Sequence, residues 1–172
     1  MPKAPVTRRR ALLAAALAPW VGWAGWARAQ AADTLLSRHG RPVPPSPRRV
    51  FAAGPPAAVL VAALAPGQLL GWPYTLPEGS QAVLSPELAC LPVLGRLAGR
   101  GSTMSIEALL ALRPDLIIDA GTVDDHHRST AERVAAQTGI PYVLVDGRLA
   151  QSPTQLREVG RLLGASARAE QL

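Results

Sequence analysis

The chain has 172 residues, 48% of them hydrophobic, a formal net charge of +6 and a single cysteine. That length supports one domain with its own core, and one cysteine excludes an internal disulfide or a cysteine-cluster metal site. Five of the 18 basic residues (Lys3, Arg8, Arg9, Arg10 and Arg28) precede residue 30 and no acidic residue does. The remainder carries 13 basic against 12 acidic groups, a net of +1 that argues against a nucleic-acid partner.

Residues 1–29 read as an export signal. Thr7-Arg8-Arg9-Arg10 is followed by an apolar run through Trp26 and a small-x-small cleavage site, Ala27-Arg28-Ala29. The paired arginines point to the twin-arginine route and a periplasmic location for a mature chain starting near Gln30. Ala11 to Trp26 is short for a membrane span and contains Pro19, Gly22 and Gly25. No cysteine lies at the cleavage point, so lipidation is not expected. Residues 30–48 are a polar, proline-rich lead-in with a short hairpin expected at Gly40.

Residues 49–150 alternate strand and helix patterns. Val50 to Ala53 is a short apolar strand ended by Gly54-Pro55-Pro56, and Ala57 to Leu64 is a compact helix stopped by Pro66-Gly67. Leu69 to Trp72 reads as a second short strand, Pro86 to Leu91 as one or two helical turns, and Gly95 to Gly101 as a flexible loop. Ser105 can N-cap a helix to Leu112, with Glu107 in its first turn where the helix dipole favours an anion. Leu116-Ile117-Ile118 has the unbroken apolar character of a parallel strand covered on both faces. Thr130 to Thr138 is another helix, Tyr142 to Val145 another strand, and Ser152 to Leu163 a further helix, with residues 165–172 able to resume helically. The expected fold class is α/β, a parallel sheet flanked by helices on both faces.

Such sheets bind ligands in the crevice beyond the carboxyl ends of their strands. Those ends are Gly54 to Pro56, Trp72 to Tyr74, residues 95–101, and Asp119 to Thr122. The glycine loop lacks the Gly-Lys-Ser/Thr ending of a nucleotide P-loop, so Arg96 and Arg100 read as hydrogen-bond forks for an anionic ligand, or as solvated loop arginines. Asp124-Asp125-His126-His127 resembles a metal cluster, but adjacent residues diverge and no i, i+4 histidine pair is present, so an exposed loop and helix start is expected. Nothing offers a nucleophile elbow or a triad order, and no enzymatic activity is expected. Cys90, among Leu88, Ala89 and Leu91, reads as a small buried residue.

Several segments resemble the periplasmic substrate-binding proteins of iron-siderophore, haem and cobalamin ABC transporters. Gly40-Arg41-Pro42-Val43, Arg48-Arg49-Val50 and the Gly54-Pro55 loop are similar to that family's opening hairpin and first strand. Ser105-Ile106-Glu107-Ala108-Leu109-Leu110-Ala111-Leu112-Arg113-Pro114-Asp115-Leu116-Ile117-Ile118 resembles its most recognisable stretch, with Ser105 in place of the usual asparagine. Ala135 to Tyr142 is similar to the turn into its next strand. The resemblance implies two α/β lobes joined by a long helix with ligand between them, residues 151–172 being the start of that helix and the chain ending within it, a truncation. Only one wall of the clamp is then encoded, and the chain alone is expected to bind weakly or not at all unless another chain supplies the second wall. It further implies that Glu107 pairs with arginines of the inner-membrane permease, and that a ferric chelate, cobalamin or haem contacts Gly54, Pro55, Pro56, Trp72, Tyr74, Arg96, Arg100, Asp119, Ala120 and Gly121. Tyr74 is the foremost aromatic contact. No resident cofactor or metal is expected, and the chain is expected to be a monomer. A small exported flavodoxin-like enzyme and a non-functional truncated product are the alternative readings.

Overall fold

The computed structural model describes Met1, residues 35–98 and residues 101–172; the export-signal segment and Arg100 lie outside the described residues. Four strands form one sheet: β1 (Leu36–His39), β2 (Val50–Ala52), β3 (Leu116–Gly121) and β4 (Tyr142–Asp146), in the spatial order β1-β4-β3-β2. β2 pairs with β3, and β3 with β4, in parallel; β1 runs antiparallel along β4, with Leu36 opposite Val145 and His39 opposite Tyr142. The sheet is therefore mostly parallel. The expected hairpin at Gly40 does not form: residues 36–39 cross to the far edge of the sheet. A methyl on Gly40 would meet the Ala135 Cβ at 2.8 Å, so the chain leaves β1 pressed against a helix on the sheet's face.

Alternate residues of each strand point to opposite faces, and both faces are covered. Val50, Ala52, Leu116, Ile118, Val143 and Val145 pack under α1 (Pro55–Leu64) and α5 (Ser152–Leu162), which contribute Ala57, Val61 and Val159. Phe51, Ile117, Tyr142 and Leu144 pack on the other face under α3 (Ile106–Ala111) and α4 (Asp125–Thr138), which contribute Leu109, Ala131, Val134 and Ala135. Burial on both sides explains why Leu116-Ile117-Ile118 is apolar without alternation. A short α2 (Pro86–Ala89) lies between α1 and α3 in sequence, and α6 (Ser166–Ala169) follows α5.

Helix boundaries follow local chemistry. Ser105 caps α3, its Oγ accepting from the Ala108 amide at 3.1 Å. Asp124 caps α4, taking the His127 amide at 2.9 Å, so α4 starts five residues before the sequence expectation, and Asp125-His126-His127 form its first turn. Gly139 ends α4 with φ 68°, a left-handed conformation that favours glycine. At the amino edge of the sheet, Asp115 accepts the Arg48 and Arg49 amides, each at 2.9 Å, while the Arg49 guanidinium donates to the carbonyls of Leu112 and Arg113 at the end of α3.

Residues 69–72 add only single bridges: Val50 with Leu69, and Trp72 with Val93. The strand expected there is thus reduced to a backbone crossing, because Pro73 ends it and Pro92 supplies the carbonyl that accepts the Trp72 amide at 2.8 Å. Cys90 is exposed, contrary to expectation. Leu88 faces the core, and Cys90, at the end of the same short helix, points elsewhere.

Candidate functional site

β2 has residues 69–70 on one side and β3 on the other, with the Leu70 amide donating to the Val50 carbonyl at 3.0 Å. From β2 the chain leaves through α1 towards residue 69; from β3 it leaves through α4 towards β4. Those two connections lie on opposite faces and run in opposite directions, so the tips of β2 and β3 mark a topological switch point, where open α/β sheets hold ligands.

At the tip of β2, Gly54 is the extended residue preceding α1, and Pro55 and Pro56 occupy the first two helical positions. Gly54 and Asp119 face each other: a methyl on Gly54 would lie 3.6 Å from Asp119 Oδ1. Asp119 itself is 5% exposed. Its Oδ1 accepts from the Ala120 amide at 2.9 Å and its Oδ2 accepts from the Tyr142 hydroxyl at 3.4 Å. Burial pushes the Asp119 carboxyl up from the ordinary carboxylate range, partly offset by His127 and these hydrogen bonds. Burial also raises the Tyr142 phenol, with the Asp119 charge adding to the effect. Asp119 is therefore buried at the tip of β3, while Ala120 and Gly121, which follow it, are half-buried.

The loop after residue 94 closes over the tip of β2, with the Leu97 and Ala98 amides both donating to the Ala53 carbonyl at 2.9 and 3.1 Å. The described part of this loop is cross-braced rather than loose. The Arg96 amide donates to Thr103 Oγ1 at 3.0 Å, the Thr103 amide returns to the Arg96 carbonyl at 2.9 Å, and Arg96 Nε donates to the Gly101 carbonyl at 3.0 Å. Trp72, expected as a ligand contact, is a core side chain: it is 3% exposed and its indole N–H donates to the Leu88 carbonyl at 2.9 Å. Tyr74 is half-buried, its ring centroid 6.5 Å from that of Trp72. Glu107 is exposed in the first turn of α3, and hydrogen bonds from the backbone and Ser105 hold its carboxyl below the usual range.

An open groove of about 570 Å³ lies one strand further along, at the tips of β3 and β4, lined by Gly121, Thr122, Val123, Asp146, Gly147 and Arg148. Of the described residues in the strand ends expected from sequence, Gly121 and Thr122 line it. The Gly147 amide donates to the Gly121 carbonyl at 2.8 Å and joins the two walls. Arg148 folds back on Asp146, its guanidinium 2.7 Å from Oδ2 and its amide 3.1 Å from Oδ1. That pairing holds the Asp146 carboxyl below its ordinary range. The Gln155 side-chain amide donates to the Asp146 carbonyl and anchors the turn to α5. The Asp146-Gly147-Arg148 turn was missed in the sequence, although the same signal, a buried strand leaving through glycine, was present.

No protein-family model matches the chain, and no curated protein sequence matches it. Solved structures do. An ABC transporter solute-binding protein from Sulfurospirillum deleyianum superposes with a TM-score of 0.63 at 27% identity, covering 75% of this chain and 41% of that one. A siderophore periplasmic binding protein from the fuscachelin gene cluster of Thermobifida fusca has a TM-score of 0.54 at 22% identity, covering 76% of this chain and 47% of that one. A periplasmic heme-binding protein from Pseudomonas aeruginosa has a TM-score of 0.50 at 23% identity, covering 73% of this chain and 41% of that one. The chain thus spans less than half the length of these proteins, and its fold is that of one α/β lobe of periplasmic solute-binding proteins.

Proposed function

We propose that the chain is a solute-binding component of an ABC importer, working in the periplasm after twin-arginine export. In this reading it captures a metal chelate, an iron-siderophore first and cobalamin or haem next, and delivers it to an inner-membrane permease without catalysis. The observation that carries it is the open groove at the carboxyl ends of β3 and β4, next to the switch point, on a lobe whose solved relatives are binding proteins. The groove's volume falls within the range that accommodates a small-molecule ligand. Glu107, exposed and ionised at the start of α3, is the docking charge for permease arginines.

Titrating the isotope-labelled chain with a gallium(III) trihydroxamate, cyanocobalamin and haem, read by amide NMR shifts, tests the proposal at millimolar sensitivity. Shifts concentrated at Gly121, Thr122, Gly147 and Arg148 with at least one of the three support it. Saturating amounts of all three with no shift at those amides would refute it.

A further inference from the structure

We propose that Asp146 is a specificity-determining residue: by holding the Arg148 guanidinium it keeps the groove wall neutral, favouring an uncharged cargo such as a trihydroxamate chelate over a polyanionic one such as a tricatecholate. The inference rests on the ligand-groove reading above and adds the charge class of the cargo.

A guanidinium at the rim of a groove usually suggests an anionic ligand, because its fork of donors matches carboxylate and catecholate oxygens. Here one amino group of the fork is already engaged by a carboxylate. Arg148 is 68% exposed at its side chain, yet Asp146, 22% exposed, meets it through one carboxylate oxygen and meets its amide through the other. The Gln155 amide holds the same turn from α5. An anionic ligand approaching Arg148 must either displace Asp146 or sit against its carboxylate, and each costs electrostatic energy.

Other polar side chains near the carboxyl edge are also engaged. Arg128, in the first turns of α4, lies 3.6 Å from Asp125, and His127 Nδ1 lies 2.7 Å from Asp124 Oδ1. Arg96 Nε is spent on the Gly101 carbonyl. Arg148 and Arg128 thus each have a carboxylate partner, while Arg96 is braced by a backbone carbonyl. Asp146 stays ionised into mild acid because Arg148 holds its carboxyl low, so the neutralisation persists across the working pH range.

The full chain and the variants Asp146→Asn and Arg148→Gln are titrated with two diamagnetic probes, a gallium(III) tricatecholate trianion and a neutral gallium(III) trihydroxamate, by amide NMR. The wild type should bind the trihydroxamate more tightly. Asp146→Asn releases Arg148 and should raise the ratio of tricatecholate to trihydroxamate affinity about tenfold, an effect that shrinks with added salt. Arg148→Gln leaves Asp146 uncompensated and should move the ratio the other way; lying mostly in solvent, it reports even if the asparagine variant fails to fold. A wild type that prefers the tricatecholate, or a ratio unmoved by the variants while both probes bind, overturns the inference and leaves the function standing. If no probe perturbs the groove amides, the function fails and the inference with it.

Discussion

Gly147→Ala is the most direct test of whether the groove has a braced wall. An added methyl would sit 2.6 Å from Gly121 Cα, 3.0 Å from its nitrogen and 3.1 Å from its carbonyl carbon. Carbon atoms in comfortable contact are about 3.5–4.0 Å apart, so the overlap is on the order of 1 Å. All three atoms are backbone, and no rotamer change relieves the clash. The tips of β3 and β4 must part, breaking the Gly147 to Gly121 hydrogen bond of 2.8 Å. Losing that bond costs about 1 kcal/mol and overpacking about 1–3 kcal/mol more. The stiffer unfolded chain returns about 0.4–1 kcal/mol, leaving a net loss of about 2 kcal/mol. With a urea m-value of about 2 kcal/mol/M, the denaturation midpoint should fall by about 1 M. Gly67→Ala is the control: a methyl there meets nothing within 4 Å and the backbone is unstrained, so the midpoint should hold or rise slightly. Hydrogen exchange at residue 147 should also accelerate in the alanine variant. A midpoint within about 0.2 M of wild type would show that the tips separate freely and that the wall is not braced.

Three further outcomes follow from individual contacts. Asp119→Asn should stabilise the chain at neutral pH, because burial makes the folded state hold this proton more tightly than the unfolded state does; the penalty is fully present above the raised folded value and disappears as pH falls through the carboxylate range. Urea melts from pH 7 downwards should show the gap between variant and wild type closing, and a constant gap would contradict it. Trp72→Phe removes the indole donor from the Leu88 carbonyl, which keeps the Leu91 amide at 3.3 Å, and should cost about 1 kcal/mol in chemical denaturation with trihydroxamate affinity unchanged, whereas an affinity loss would return Trp72 to the binding surface. Asp115→Ala removes the acceptor of the Arg48 and Arg49 amides and should cost about 2 kcal/mol, read as a lowered thermal midpoint; no change would mean that water replaces the carboxylate at no cost.

Residues 105–146 were the most legible part of the chain because several local signals agree there. A serine cap, a short amphipathic helix, a proline break and an unbroken apolar run each have one physical reading, and together they yield α3 and β3. β1 was hidden for the opposite reason. Leu36-Ser37-Arg38-His39 is a four-residue edge strand exposed on one side, and its stability comes from pairing with β4, more than a hundred residues away. Trp72 and Cys90 show what composition cannot resolve. An aromatic residue before a proline suits either a rim or a core, and only the single bridge to Val93 turns the indole inward. Apolar neighbours made Cys90 look buried, but neighbours in a helical turn face different directions.

The position of the candidate site follows from what α1 lacks. A helix start beside a switch point ordinarily offers free N–H groups and a positive dipole end to an anion. Here Pro55 and Pro56 remove the first two donors, the Ala58 amide is bonded to the Gly54 carbonyl at 3.1 Å, and Ala57 is fully buried. The tip of β2 therefore presents the exposed pyrrolidine rings of Pro55 and Pro56 over a buried Gly54 rather than an anion cradle. Polar contact passes to the β3 and β4 tips, where Arg148 is held by Asp146. Both ends of the crevice thus reach the same electrostatic condition by different means: a missing donor at α1 and a paired one at β4. With the described guanidinium of the β3 and β4 tips paired in this way, that groove gains little from a polyanion and loses little by desolvating a neutral chelate, so cargo charge should discriminate more sharply than cargo size there.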